Sequence, residues 1–118
     1  MLKRVLGIIG LVLIVIGQSC YYDNEEELYP DDNCDTSNVT FSGTVNPIIQ
    51  TNCAITGCHV PGTGRVVLQT PQQIKVIVDD GRLEQRAVQD KDMPPTGPLN
   101  NCEITQIQTW LNAGAPNN

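Results

Sequence analysis

Two thiols and an imidazole fall within seven residues of this chain, in the run Cys53-Ala54-Ile55-Thr56-Gly57-Cys58-His59. The 118-residue sequence has no other histidine. The run leads into Val60-Pro61-Gly62-Thr63-Gly64, a turn-rich exit. A loop this dense in sulfur and nitrogen is either built around a bound group or stapled to itself. Three further cysteines frame it, Cys20 and Cys34 before and Cys102 after.

Cys20 belongs with the N-terminus. Lys3 and Arg4 precede an apolar run from Val5 to Ile16. That run is shorter than the roughly twenty apolar residues a spanning helix needs. It fits a secretory signal peptide better than an uncleaved membrane anchor. Gly17-Gln18-Ser19-Cys20 follows and resembles the lipobox of bacterial lipoproteins. The resemblance implies residues 1–19 as a signal peptide and Cys20 as a lipidated new N-terminus. It also implies an exported, membrane-anchored lipoprotein, on the periplasmic side of the outer membrane or at the cell surface.

Removing the leader also removes Lys3 and Arg4, leaving 5 basic against 13 acidic residues, a net charge of −8. Six of those acids lie between Asp23 and Asp32, so residues 20–33 read as an acidic, solvated tether. An acidic cluster behind a lipidated cysteine resembles a surface-export signal; a plain polar spacer is the alternative. From Cys34 onward there are 7 acids and 5 bases, with no basic patch to neutralise phosphates, so nucleic acid is excluded as a partner.

Residues 34–118 are the folded domain. Thr40 to Val45 is short and β-rich, and is expected to be extended. Val45 to Cys53 reads as a helix with Pro47 in its first turn, capped by Thr44 or Asn46. Thr70-Pro71-Gln72-Gln73 is a helix start with a reciprocal cap, and Ile74, Ile77 and Val78 give that helix one apolar face. Gly81 stops it, and a further short helix is expected over Leu83 to Gln89. Lys91 to Leu99 holds Pro94, Pro95, Gly97 and Pro98 and reads as a constrained loop. Asn100 and Glu103 cap the last helix, whose stripe is Ile104, Ile107, Trp110 and Leu111. The fold class is all-α, three to four short helices joined by long loops. With one Phe and one Trp, such a domain looks short of core material.

In an oxidising compartment Cys34 and Cys102 are left to pair, closing most of the domain into one loop. Cys53, Cys58 and His59 then suit covalent haem c: two thioethers and an axial imidazole. The spacer is four residues, where two is usual. Met93, in Asp92-Met93-Pro94-Pro95, is the soft second axial ligand, making His59 and Met93 the two iron ligands. Pro47-Ile48-Ile49, Cys58-His59, Met93-Pro94-Pro95 and the stretch from Ile107 to Pro116 together resemble a small monohaem c-type cytochrome domain of bacterial lipoproteins. The resemblance implies a cytochrome c-like fold around one haem, with Trp110 packed where the first and last helices cross. It implies a non-enzymatic carrier of single electrons outside the cytoplasm, with redox proteins as partners and a membrane reached through the lipid at Cys20.

Two other readings of the same residues stay open. A structural zinc site would use Cys53, Cys58 and His59 with Cys34 or Cys102. A disulfide-stapled interaction module without haem would form both Cys34–Cys102 and Cys53–Cys58.

Overall fold

The computed structural model describes residues 33–118. The expected signal peptide, the expected lipidation site Cys20 and the expected tether as far as residue 32 lie outside the described residues. Helices and turns make up the architecture, and no strand occurs among the described residues. In chain order the regular elements are a wide helical segment Phe41–Val45, helix α1 (Asn46–Asn52), helix α2 (Pro71–Asp79), a second wide segment Glu84–Gln89, and helix α3 (Asn101–Asn112). None of these helices is long and apolar enough to cross a membrane.

The segment expected to be extended is helical. Its β-branched composition argues for an extended chain, but two local interactions outweigh that preference. The Thr40 hydroxyl accepts the Gly43 amide at 3.0 Å, and the Thr40 carbonyl accepts the amides of Thr44 and Val45, each at 3.1 Å. The second of those bonds spans five residues and gives the wider π-type turn. A Cβ on Gly43 would stand 2.9 Å from the Thr40 hydroxyl, so this cap requires glycine there. The gain is burial: Phe41 and Val45 both enter the core. The helix runs on into α1 with Pro47 near its start, and neither Thr44 nor Asn46 supplies the cap.

Helices α2 and α3 begin with the reciprocal caps their sequences encode. At α2 the Gln73 amide donates to the Thr70 hydroxyl at 3.4 Å and the Thr70 amide donates to the Gln73 side chain at 3.0 Å. At α3 the Glu103 amide donates to the Asn100 side chain at 2.8 Å and the Asn100 amide donates to Glu103 at 3.1 Å. These bonds satisfy amides that the first turn leaves without partners. In the α3 stripe Ile107 and Trp110 are buried, while Ile104 and Leu111 are half-buried at its margins.

The core is complete without a prosthetic group. Among the described residues twelve apolar ones are buried, with Ile49, Ile74, Ile107 and Val45 fully enclosed, and none of the buried ones is polar or charged. The expected shortage of core material is therefore corrected. Apolar side chains from every element, mostly branched aliphatics with Phe41, Trp110 and Ala87 and with Leu68 and Leu99 from the loops, fill the interior by meeting at one place. Phe41 packs on Trp110 with ring centroids 5.6 Å apart. The Trp110 indole donates to the Pro116 carbonyl at 2.9 Å, so its one polar atom is satisfied.

Cys34 and Cys102 are bonded, with Cα atoms 5.4 Å apart across 68 residues of sequence. Asn118 binds the other end of the domain. Its carbonyl accepts the Ser42 amide and its side-chain oxygen accepts the Phe41 amide, each at 2.8 Å. Both ends are thereby fastened onto the same helical frame.

Replacing Cys34 and Cys102 together with serine should cost about 4 kcal/mol in the chain-entropy account of a loop this long. A urea titration followed by circular dichroism reads the loss; an unchanged midpoint would remove the bond as a support of the fold. Thr70→Ala and Asn100→Ala should each cost about 1 kcal/mol by the same measurement, as lost helix caps do.

Candidate functional site

The run from Cys53 to His59 folds back on itself as α1 ends. The Cys53 amide still donates to the Ile49 carbonyl at 2.8 Å, closing the helix. The Cys58 amide then donates to the Ile55 carbonyl at 3.0 Å, and the His59 amide donates to the Cys53 carbonyl at 3.1 Å. Gly57, at φ +82°, takes the left-handed turn that lets the chain reverse. The Arg65 guanidinium donates to the Gly57 carbonyl at 2.9 Å and braces the turn from outside.

His59 is held at three points. Besides its amide bond, its carbonyl accepts the Leu68 amide at 3.0 Å. Its ring Nδ1 lies 2.8 Å from the Val66 carbonyl. A carbonyl can only accept, so Nδ1 carries a proton, and in the neutral tautomer this fixes, Nε2 is the lone-pair acceptor. The backbone at Leu68 is anchored in turn, because the Gln50 side chain of α1 donates to its carbonyl at 2.8 Å.

Opposite this loop runs the Glu84–Gln89 segment with the chain that follows it. The amides of Asp92 and Met93 both donate to the Arg86 carbonyl, at 3.1 and 3.3 Å. Arg86 Nε meets both carboxylate oxygens of Asp92, at 2.8 and 2.9 Å. This exposed pair holds the Asp92 carboxyl below its usual range. Lys91 turns the chain at φ +53°, an uncommon conformation for a residue with a Cβ. Met93 is thereby brought over the His59 loop, and the Met93–Pro94 peptide bond is cis.

Between the two walls lies an apolar slot of about 110 Å³. Val66, Leu68, Ile77, Leu83 and Ala87 form its body; Cys53, His59 and Met93 bring sulfur and nitrogen to it; Arg82 and Arg86 complete the lining. Each arginine near the loop already has a partner: Arg65 the Gly57 carbonyl, Arg82 Asp80, and Arg86 Asp92.

Three of the four residues assigned to haem thus share the slot, and Cys58 does not line it. The haem c assignment is corrected on this geometry. Its two thioethers require both cysteines at one rim. Its volume also falls well short of the roughly 300–1,000 Å³ of pockets that enclose even a drug-sized ligand. Among the described residues no group of three or more His, Cys, Asp and Glu side chains is gathered to hold a metal ion. The zinc reading falls with this, since Cys34 and Cys102 are consumed by their disulfide and leave no fourth ligand. Comparison with family models, with curated proteins and with solved structures returns no match, so nothing supports the cytochrome resemblance. The electron-carrier role and its iron chemistry rested on that haem and are withdrawn with it.

The slot's own chemistry is that of an apolar cleft with the His59 ring in its lining. Sequence reasoning found Cys53, His59 and Met93. It missed the ring bond to Val66, which rests on a backbone carbonyl and leaves no side-chain signature.

Burial pushes the Cys53 thiol up to about 11, with ionised Cys58 and Glu103 adding to the effect. Cys53 is therefore a thiol, a poor nucleophile, at neutral pH. The folded state holds this proton more tightly than the unfolded chain, where the value is 9.0. The resulting stabilisation is complete below pH 9 and is lost as pH rises toward 11. In a Cys58→Ser background, where burial remains but the Cys58 charge is gone, iodoacetamide should alkylate Cys53 at pH 8 at least about tenfold more slowly than an ordinary cysteine. The rate should keep climbing about tenfold per pH unit past pH 9; a plateau near 9 would contradict the assignment.

Proposed function

We propose that the chain is a disulfide-stapled binding module, exported and held at a membrane by lipid on Cys20, with the acidic residues 20–33 as its tether. Its ligand is a small apolar molecule, or the apolar end of a larger one, carrying a hydrogen-bond donor. The observation that carries this reading is the slot, an apolar cleft lined in part by His59, whose Nε2 has no protein partner among the described residues.

A volume near 110 Å³ sets the size of what enters. An enclosed apolar cavity of about 150 Å³ accommodates a benzene ring. The slot is open on one side, so it admits one ring or a short branched chain while the remainder of the ligand stays outside. Burying such a group against Leu68, Ile77 and Leu83 contributes about 25 cal/mol per Å² of apolar surface removed from water. A hydroxyl or N–H on the ligand facing Nε2 fixes its orientation, because the Val66 bond has already set the tautomer. The disulfide serves the same end: a small domain with long loops keeps a cleft open only if its loops are fastened.

The test is a titration of the purified protein with phenol, indole and benzene, followed by backbone amide NMR shifts. The expected result is saturable shifts at Cys53, His59, Leu68, Ala87 and Met93, with phenol and indole binding more tightly than benzene. Ala87→Phe, which fills the slot, should weaken binding at least tenfold, and His59→Phe should abolish the preference for the donor-bearing ligands. Shifts scattered over the surface, or binding untouched by Ala87→Phe, would overturn the reading.

A further inference from the structure

Two cysteines remain thiols in a domain whose other pair is oxidised. Cys53 and Cys58 stand at the two ends of a loop that the backbone has already closed. The bond from the His59 amide to the Cys53 carbonyl, at 3.1 Å, brings the residue next to Cys58 back beside Cys53. The Ile55–Cys58 turn inside it, with Gly57 at φ +82°, completes the reversal. Both residues are half-buried, and Ile55, Thr56 and Gly57 between them are exposed. Joining the sulfurs would move exposed residues and leave the core in place. The two thiols also sense each other, since charge on Cys58 helps to hold the proton on Cys53.

We propose that Cys53 and Cys58 are a reversible dithiol site that exchanges with small-molecule disulfides of the glutathione class, closing a second disulfide while Cys34–Cys102 stays intact. The reaction shares Cys53 with the slot lining but needs no ligand in the slot. The Cys58 sulfur, as thiolate, attacks one sulfur of the small disulfide. A Cys58–S–S–R bond forms, the reagent's own S–S bond breaks, and one thiolate leaves. Cys53 then loses its proton to solvent and attacks the Cys58 sulfur. The Cys53–Cys58 bond forms and the second thiolate leaves. Two protein thiols are oxidised, one disulfide is reduced to two thiols, and no other reactant is needed.

The order of attack follows from burial. Cys53 packs against the core, whereas Cys58 stands outside both the core and the slot. With Cys53 held as a thiol, the second step is the slow one, so the mixed disulfide on Cys58 accumulates before the ring closes. The six-residue ring also constrains the unfolded chain less than the 68-residue separation of the structural bond. Cys53–Cys58 should therefore be the bond that is reduced first.

The experiment treats the full chain with glutathione buffers of increasing oxidised fraction, quenches with acid and locates each sulfur by fragment-ion mass spectrometry. The expected sequence is free thiols at Cys53 and Cys58, then a glutathione adduct on Cys58, then a Cys53–Cys58 bond lighter by two hydrogens. Decay of the adduct should quicken about tenfold per pH unit between pH 7 and 9, as the thiolate fraction of Cys53 rises. Cys53→Ser should trap the adduct, and Cys58→Ser should leave Cys53 largely unmodified. Two thiols that stay free in fully oxidised buffer, or pairing of either one with Cys34 or Cys102, would overturn the proposal. Phenol binding by the reduced protein is read separately, so failure of the slot reading leaves this result standing.

Discussion

The bond between Cys34 and Cys102 is the constraint from which the rest of this domain follows. It ties the chain just before the first helical segment to the first turn of α3. Everything between those points is short helices and long loops, with little regular hydrogen bonding to connect one helix with the next. The long-range polar links are few and specific. Asn52 reaches Glu103 at 3.2 Å, Gln50 reaches the Leu68 carbonyl, and Asn118 receives the amides of Phe41 and Ser42. Each has value only when the ends are already near one another. Closing the loop covalently removes most of the entropy that would oppose that arrangement.

Within this frame, the core and the cleft are made from the same few loops. Leu68 is buried in the core, while its backbone fixes His59 on one side and meets Gln50 on the other. Arg86 does the matching task across the slot, its carbonyl holding Met93 and its side chain holding Asp92. The cleft is thus supported by backbone contacts, and its sulfur and nitrogen atoms are brought in by loops that have little freedom to move. The exposed Arg86–Asp92 pair adds orientation more than stability, since ion pairs in water are worth about 0–1 kcal/mol.

Much of the helical framework was legible in the residues themselves. Thr70 with Gln73, and Asn100 with Glu103, encode helix starts through local chemistry that no distant contact needs to supply. The apolar spacings of α2 and α3 pointed at Ile74, Ile77, Ile107 and Trp110, which are buried, and at Val78, Ile104 and Leu111, which are half-buried at the margins. The Phe41–Val45 segment was not legible, because its wide turn rests on backbone bonds to the Thr40 carbonyl and on burial of Phe41 and Val45 partly against a helix some sixty residues away. The site was misread for a related reason. Two cysteines, a histidine and a methionine form a suggestive list, but a list carries no volume. The structure gives that volume, gathers three of the four residues, and leaves Cys58 outside. It also shows that aliphatic side chains, joined by Phe41 and Trp110, fill the interior that the composition left looking sparse.

Amide hydrogen exchange, recorded with Cys34–Cys102 intact and after its selective reduction, tests the central claim most directly. If the bond is the constraint on which the structure depends, its loss should remove protection from Phe41–Val45, α1, α2 and α3 together, with the slot amides of His59 and Leu68 failing at the same time. Loss confined to the residues beside Cys34 and Cys102, with the helices still protected, would show that the core stands without the bond and would contradict the account.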